Sequence, residues 1–222
     1  MGRDRATARP VLSQISPTID FSISAENDDA RLVVCDSLLR AMGGISLTER
    51  QFYDWQTAGG GGDVLRLVEV LERLEIPWCM IDGLAVNYWA EEPLATADVD
   101  VIIAHERVEQ AVQALVEAGF KAKHFEWSIN LKGSSKVSVQ ISTEDFYREF
   151  PSRSLAADVH GILMRVASLR DTLAGKTAAW RDQTRRPSKR QKDLLDITRL
   201  LESHPELRGE LPADVAALLP EN

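Results

Sequence analysis

The sequence predicts an α+β fold: a small mixed β-sheet with helices packed on it, followed by a helical C-terminal part. Three observations carry that reading. Short apolar runs suited to buried strands, "WCMI" and "DVDVIIA", alternate with stretches of helical periodicity. Two further segments, "KAKHFEWSINL" and "KVSVQIS", alternate polar with apolar residues around "KGSS", which is the pattern of a hairpin and mixes antiparallel pairs into the sheet. After Pro151 the pattern turns helical again.

The composition limits what such a fold can do. A chain of 222 residues, 44% hydrophobic and 27% charged, can bury one sizeable core plus a small appended subdomain without disulfide or structural metal. With 26 basic against 34 acidic residues the net charge is −8, which excludes a general nucleic-acid or membrane coat, so an anion site must be local. Cys35 and Cys79 are far apart and lack zinc-site spacing, which fits a reducing compartment. No signal-peptide pattern opens the chain, and no apolar run approaches the roughly 20 residues of a spanning helix. The expectation is a cytoplasmic protein without membrane association.

In chain order, residues 1–28 read as a flexible segment and 29–62 as an N-terminal helical segment closed by a Gly-rich linker. Within the latter, Ser46 and Glu49 form a capping box that opens a helix to Trp55. Gly59–Gly62 reads as a hinge, because no Lys-Ser/Thr follows to make it a phosphate loop. The core covers 63–150. Asp63 is placed to cap a helix whose Val64, Leu67, Val68 and Leu71 share a face. "WCMI" follows Pro77 as a strand, Gly83 begins the helical "GLAVNYWA", and "DVDVIIA" follows Pro93 as a strand. The next helix runs from about Glu106 to Ala118 with Val108, Ala111, Val112 and Leu115 inward, and Gly119 ends it. Residues 151–222 form the helical C-terminal region: a helix capped by Ser168 and Asp171 runs to Trp180, "RRPS" breaks it, another runs from Lys189 to Glu202, and a short one lies near Ala213–Leu219.

One element is not explained by folding alone. Asp98 and Asp100 flank Val99 inside an apolar strand. Alternate strand residues share a face, so the two carboxylates lie roughly 6 to 7 Å apart by backbone and can converge. Converging carboxylates repel, and one takes up a proton unless a cation intervenes. All-oxygen ligands select a hard ion, Mg²⁺ or Mn²⁺, which also binds phosphate oxygens. The plain alternative is a pair of strand-end acids facing solvent.

"IDGLAVNYWAEEPLATADVDVII" resembles the nucleotidyltransferase signature, in which a strand, a glycine turn and a helix precede a strand bearing Asp-x-Asp. It is most similar to the AbiEii-like and minimal nucleotidyltransferases. Gly83, Ala85, Val86, Thr96, Asp98 and Asp100 match, and Lys189-Arg190-Gln191-Lys192-Asp193-Leu194-Leu195-Asp196 resembles their late K-R-x-K-D-x-x-D helix. The resemblance covers about residues 64–202 and implies a nucleotidyltransferase-like fold. It also implies Mg²⁺-dependent transfer of a nucleoside monophosphate from a nucleoside triphosphate to an acceptor, which could be a small molecule, RNA or protein. Asp98 and Asp100 would hold metal, and Gly83 and Leu84 would present backbone amides to phosphates. Lys176 and Arg190 would contact triphosphate or acceptor. An antitoxin-like partner is a further implication.

The chain departs from this pattern at three places. Gln140 stands where the family has a third carboxylate, and a neutral amide can orient a ligand but supplies neither charge nor a base. Downstream, Glu144 or Asp145 could substitute, or serve only as turn residues. Asp82 replaces the first glycine of the turn, which disfavours an anion unless its side chain turns away or joins the metal. Leu94 replaces an arginine. Gln140 and Asp82 together support an alternative: a catalytically weak or inactive member that binds nucleotide or a partner, in a toxin–antitoxin or phage-defence setting.

Inward charges supply a second clue. Lys176 falls on the stripe of Leu169, Leu173 and Trp180, and Arg190 and Asp193 fall on or beside the face of Leu194 and Ile197, while Lys192 and Arg199 point outward. Buried ionic groups need partners. A Lys176–Asp193 ion pair, structural in purpose, and a cationic wall for triphosphate or acceptor both meet that need. Six basic residues lie between Arg181 and Lys192, the one polyanion patch in the sequence, without interleaved aromatics. No Ser-His-Asp order or zinc motif supports hydrolase chemistry.

Overall fold

The computed structural model describes residues 59–90, 94, 96, 98–159 and 162–219, all within a compact unit spanning Leu47–Asn222. The segment 1–28, Cys35 and the expected helix from Ser46 to Trp55 lie outside these residues.

Seven strands form one mixed sheet: β1 (Trp78–Ile81), β2 (Asp98–Ile103), β3 (Lys121–His124), β4 (Ser128–Lys132), β5 (Ser138–Ser142), β6 (Leu155–Val159) and β7 (Ile162–Val166). Their order is β3-β4-β5-β2-β1-β7-β6. β2 runs parallel to β5 and antiparallel to β1, while β1 runs parallel to β7. The helices are α1 (Gly61–Arg73), α2 (Asp82–Trp89), α3 (Val108–Glu117), α4 (Leu169–Arg181), α5 (Pro187–Ser203) and the single turn α6 (Ala213–Ala216).

The helical periodicities place these helices as expected. Val64, Leu67 and Leu71 of α1 and Ala111, Val112 and Leu115 of α3 pack with Val99, Val101, Leu131, Val139 and Ile141 from one face of the sheet. Gly119 takes φ +98, and the amides of Gly119 and Phe120 close back onto the carbonyls of Val116 and Leu115, so α3 ends as a glycine-terminated helix should. Ser168 caps α4 by accepting from the Asp171 amide, and Pro187 opens α5, where its missing N–H costs nothing. The short helix α2 joins two cores. Leu84 and Ala85 enter the sheet core, whereas Val86 and Ala90 pack with Leu173, Ile197, Leu200 and Leu201 of the helical layer.

Three elements differ from the sequence reading. β6 and β7 occupy a stretch in which the pattern after Pro151 suggests helix: Ile162, Met164 and Val166 are buried while Leu163 faces out, so the period is two. A short apolar run without long-range context does not separate strand from helix. Part of the tetraglycine is helical, with Gly60 preceding α1 and Gly61 and Gly62 in its first turn. Asp63 therefore lies inside the helix rather than at its cap, and its buried carboxylate accepts from the Ser134 and Ser135 amides and the Ser134 hydroxyl. Burial pushes that carboxyl up, but the Ser135 and Ser134 hydrogen bonds outweigh it and leave Asp63 below the usual range. Asp63 thus pins the "KGSS" turn between β4 and β5 onto α1, and a Cβ on Gly133 would lie 2.4 Å from its carboxylate.

Candidate active site

Register places the carboxylate pair. Asp100 lies beside Gln140 across the parallel β2–β5 pair, with Asp98 beside Ser138 one pleat earlier. All four face away from the α1–α3 core, since Val99, Val101, Val139 and Ile141 are the residues buried in it. Asp98 is exposed and Asp100 half-buried. Burial, and then the Asp98 charge, push the Asp100 carboxyl up to about 6, while Lys192, Arg185 and Lys189 oppose the rise.

Asp100 and Gln140 line an open cleft together with Asp82, Glu144, Lys176 and Arg185. Tyr147 also faces it, its phenol pushed up to about 12 by burial and by the Glu144 charge. Asp98, Asp100 and Gln140 are therefore brought to one sheet face, with Glu144 as a further carboxylate at the same cleft. As a donor set they suit a hard divalent cation: two carboxylates on one strand face with an amide oxygen beside Asp100.

The opposite wall is ionic. The Lys176 ammonium is buried, 3% exposed at its side chain, and bonds Asp82, Asp193 at 3.2 Å and Asp196 at 2.8 Å. Arg185 reaches Asp193 at 2.9 Å, and Arg199 and Lys192 reach Asp196 at 3.1 and 3.6 Å. Burial pushes Lys176 below the usual lysine value, and the Asp196 charge pulls the other way. Asp82, Asp193 and Asp196 present oxygens within 4.8 Å of one another, a spacing that could hold a metal ion. The cation at that centre here is the Lys176 ammonium.

This network answers the question that Asp82 poses. Asp82 has φ +54, the left-handed region in which glycine is easiest and Asp and Asn are the best tolerated alternatives. Its carboxylate accepts from the Lys176 ammonium. A Cβ on Gly83 would lie 3.4 Å from Thr96 Oγ1 and 3.5 Å from Lys192 Nζ, so a cation stands over the turn. Lys192 thus points to the site and Arg199 is buried against Asp196 and Asn87, whereas helical phase alone turns both outward. Arg190 does not line the cleft. Its Nε donates to the Trp180 carbonyl at 2.7 Å and its guanidinium stands over the Trp180 ring. Leu94 is held by Asn87, whose side chain bonds both its amide and its carbonyl.

Sequence reasoning underweighted Asp196, Arg185 and Lys192. The available signal was the i, i+3 spacing of Asp193 and Asp196, which puts two acids on one face of α5 and demands a buried cation.

A glycine turn into a short helix, an Asp-x-Asp strand at its side and a helical layer closing the cleft define a nucleotidyltransferase fold. ANT(2'')-Ia, solved in complex with adenylyl-2''-tobramycin, superposes with a TM-score of 0.50 at 13% identity, covering 71% of this chain and 94% of that one. Also similar are the lincomycin-bound lincosamide adenylyltransferase LnuA (TM-score 0.45, 11% identity, 63% and 96% covered) and JHP933 from Helicobacter pylori (0.47, 18%, 73% and 72%). No curated protein sequence matches significantly. Residues 86–220 match the family described as nucleotidyl transferase AbiEii toxin, type IV TA system, and this chain belongs to that family. Among the described residues no helix is long and apolar enough to cross a membrane.

Proposed function

We propose that this chain transfers a nucleoside monophosphate from a nucleoside triphosphate to an acceptor, using Mg²⁺ or Mn²⁺ held by Asp98 and Asp100. The observation that carries the reading is the Asp98–Asp100–Gln140 face, whose Asp100 and Gln140 line one cleft with Asp82, the residue that opens the Gly83 turn. When bound, the ion neutralises charge on the attacking and leaving oxygens. The chain's own residues do the rest. The amides of Gly83 and Leu84 at the start of α2 receive phosphate oxygens, and Lys192 and Arg185 supply the cations beside them. Gln140 orients a ligand through its amide oxygen, and Glu144 is the carboxylate placed to take the acceptor's proton. Lys176, with all three of its hydrogen-bonding directions directed to carboxylates, is assigned with Asp193 to hold the Asp82 turn. Arg190 fixes α5 against α4.

The acceptor attacks the α-phosphorus and pyrophosphate leaves. Incubation with each labelled triphosphate and Mg²⁺, with small-molecule, RNA and protein acceptors, tests this. Transfer that survives the Asp98→Ala, Asp100→Ala double variant would sink the mechanism.

Gln140 favours a second reading, in which the chain binds nucleotide or an antitoxin-like partner with little turnover. Metal-dependent thermal stabilisation by ATP or GTP without any transfer product would select it.

A further inference from the structure

The strand that carries the carboxylate pair is supported unequally on its two sides. β5 pairs with it from its first residue, Asp98 lying beside Ser138. β1 reaches only to Ile81, opposite Asp100, and the chain then turns into α2. Among the described residues, Asp98 and Val99 therefore have no strand on the β1 side. A side chain of α2 takes up part of that role. The Asn87 amide donates from Nδ2 to the Leu94 carbonyl at 2.6 Å and accepts at Oδ1 from the Leu94 N–H at 3.0 Å. It offers Leu94 the donor and the acceptor that a neighbouring peptide group would.

Asn87 is held in turn. Arg199 of α5 is buried, and its planar fork donates to Asp196 Oδ1 at 3.1 Å and to Asn87 Oδ1 at 3.0 Å. That contact fixes which way the amide faces, because a flipped amide would set its NH2 against both the guanidinium and the Leu94 N–H. Asparagine is a poor helix former because its amide competes for nearby backbone groups. Here the amide is directed to another segment. Beyond Leu94 that segment is tied again through Thr96, whose Oγ1 lies 3.4 Å from where a Cβ on Gly83 would stand and donates to the Asp98 carbonyl at 3.3 Å. α2 thus touches both halves of the site, with Asp82 and Gly83 at its first turn and Asn87 on the approach to Asp98.

We propose that Asn87 is a positioning residue: its amide, oriented by Arg199, fixes the backbone entering β2 and so holds the Asp98 carboxylate where it can share one cation with Asp100. Asn87 does not line the cleft. It acts through Leu94 and Thr96. The effect on the cation rests on the transferase reading, but the clamp on the backbone does not.

The full chain is compared with its Asn87→Ala and Asn87→Asp variants. Hydrogen exchange of the Leu94 amide, followed by NMR, is expected to be about tenfold faster in Asn87→Ala, the effect of one lost hydrogen bond on local opening. Mg²⁺ affinity by calorimetric titration is expected to fall about tenfold, as when residues that orient metal ligands are removed. Because Leu94 is 41% exposed and water can replace the lost bonds, Tm in EDTA is expected to change by less than about 2 °C. Asn87→Asp keeps the acceptor for Arg199 and for the Leu94 N–H and loses only the donor, so its exchange rate is expected to lie between those of the parent and Asn87→Ala. Unchanged exchange in Asn87→Ala overturns the clamp. Faster exchange with unaltered Mg²⁺ affinity overturns its action on Asp98, as does a fall in affinity that only accompanies a Tm lowered by more than about 6 °C. If the parent itself binds no Mg²⁺, the transferase reading fails, and the exchange of the Leu94 amide alone decides the clamp.

Discussion

Replacing Lys176 by Met keeps the stem and removes the ammonium at the centre of the ionic wall. Four cations, Lys176, Arg185, Lys192 and Arg199, face three carboxylates, Asp82, Asp193 and Asp196. The substitution leaves three against three. Removing one partner of a buried pair costs about 3 to 5 kcal/mol, mostly because a buried charge is left uncompensated. Here Asp193 keeps Arg185 at 2.9 Å and Asp196 keeps Arg199 at 3.1 Å, and Asp82, the residue that loses its cation, is 28% exposed at its side chain. The loss therefore belongs at the low end, about 3 kcal/mol, equivalent to a Tm lower by about 6 to 12 °C in a chain of this size.

Differential scanning calorimetry at neutral pH measures it. Adding Asp82→Asn removes the orphaned charge while keeping a residue that tolerates the left-handed conformation, so the double variant is expected to recover most of the lost stability. A single variant within about 0.5 kcal/mol of the parent, or a double variant no better than the single, would refute the account of Lys176 as the clamp of the turn.

The remaining predictions concern the carboxylate face and the hairpin. Asp100 is held protonated up to about pH 6 against an ordinary 3.8. The folded state therefore binds the extra proton, and without metal stability falls by about 3 kcal/mol as pH rises from about 4 to 6. Mg²⁺ competes with that proton, so its affinity is expected to weaken about tenfold per pH unit below 6, read as the Mg²⁺ dependence of Tm at several pH values; a flat profile contradicts metal binding at Asp100. Gln140→Glu adds a third carboxylate beside Asp100 and is expected to lower apo stability while raising Mg²⁺ affinity by at least about tenfold, measured by calorimetric titration; unchanged affinity removes Gln140 from the metal face. Gly133→Ala crowds the Asp63 carboxylate and is expected to cost about 1 to 3 kcal/mol, and much less in an Asp63→Ala background, which a double-mutant cycle in urea resolves.

What was legible in the sequence depends on how far each interaction reaches along the chain. The periodicities of α1 and α3, the Gly119 terminus and the Ser168 cap involve residues within a few positions, so a window of sequence contains their cause. The β6–β7 hairpin does not share that property: "LAADVHGILMRV" is apolar enough for strand or helix, and what decides is its place beside β1, through the pairing of Met80 with Val166. Asp63 shows the same limit. A capping pattern surrounds it, but its partners are 71 and 72 residues away.

The site divides along the same line. Asp98, Asp100 and Gln140 were readable because strand alternation gives each its face before any partner is known. The charges on α4 and α5 were not, because helical phase says which residues turn inward and not what neutralises them. Lys192 illustrates the error: its phase points to solvent, yet a long side chain reaches the Gly83 turn because Lys176 draws α2, α4 and α5 together through Asp82, Asp193 and Asp196. Asp82 and Lys176 are thus best understood as one substitution pair. A carboxylate at the first glycine of a phosphate turn would repel an anion if it faced the amides. Bound to a buried ammonium, it costs the turn one left-handed residue and leaves Lys192 as the charge a phosphate would meet.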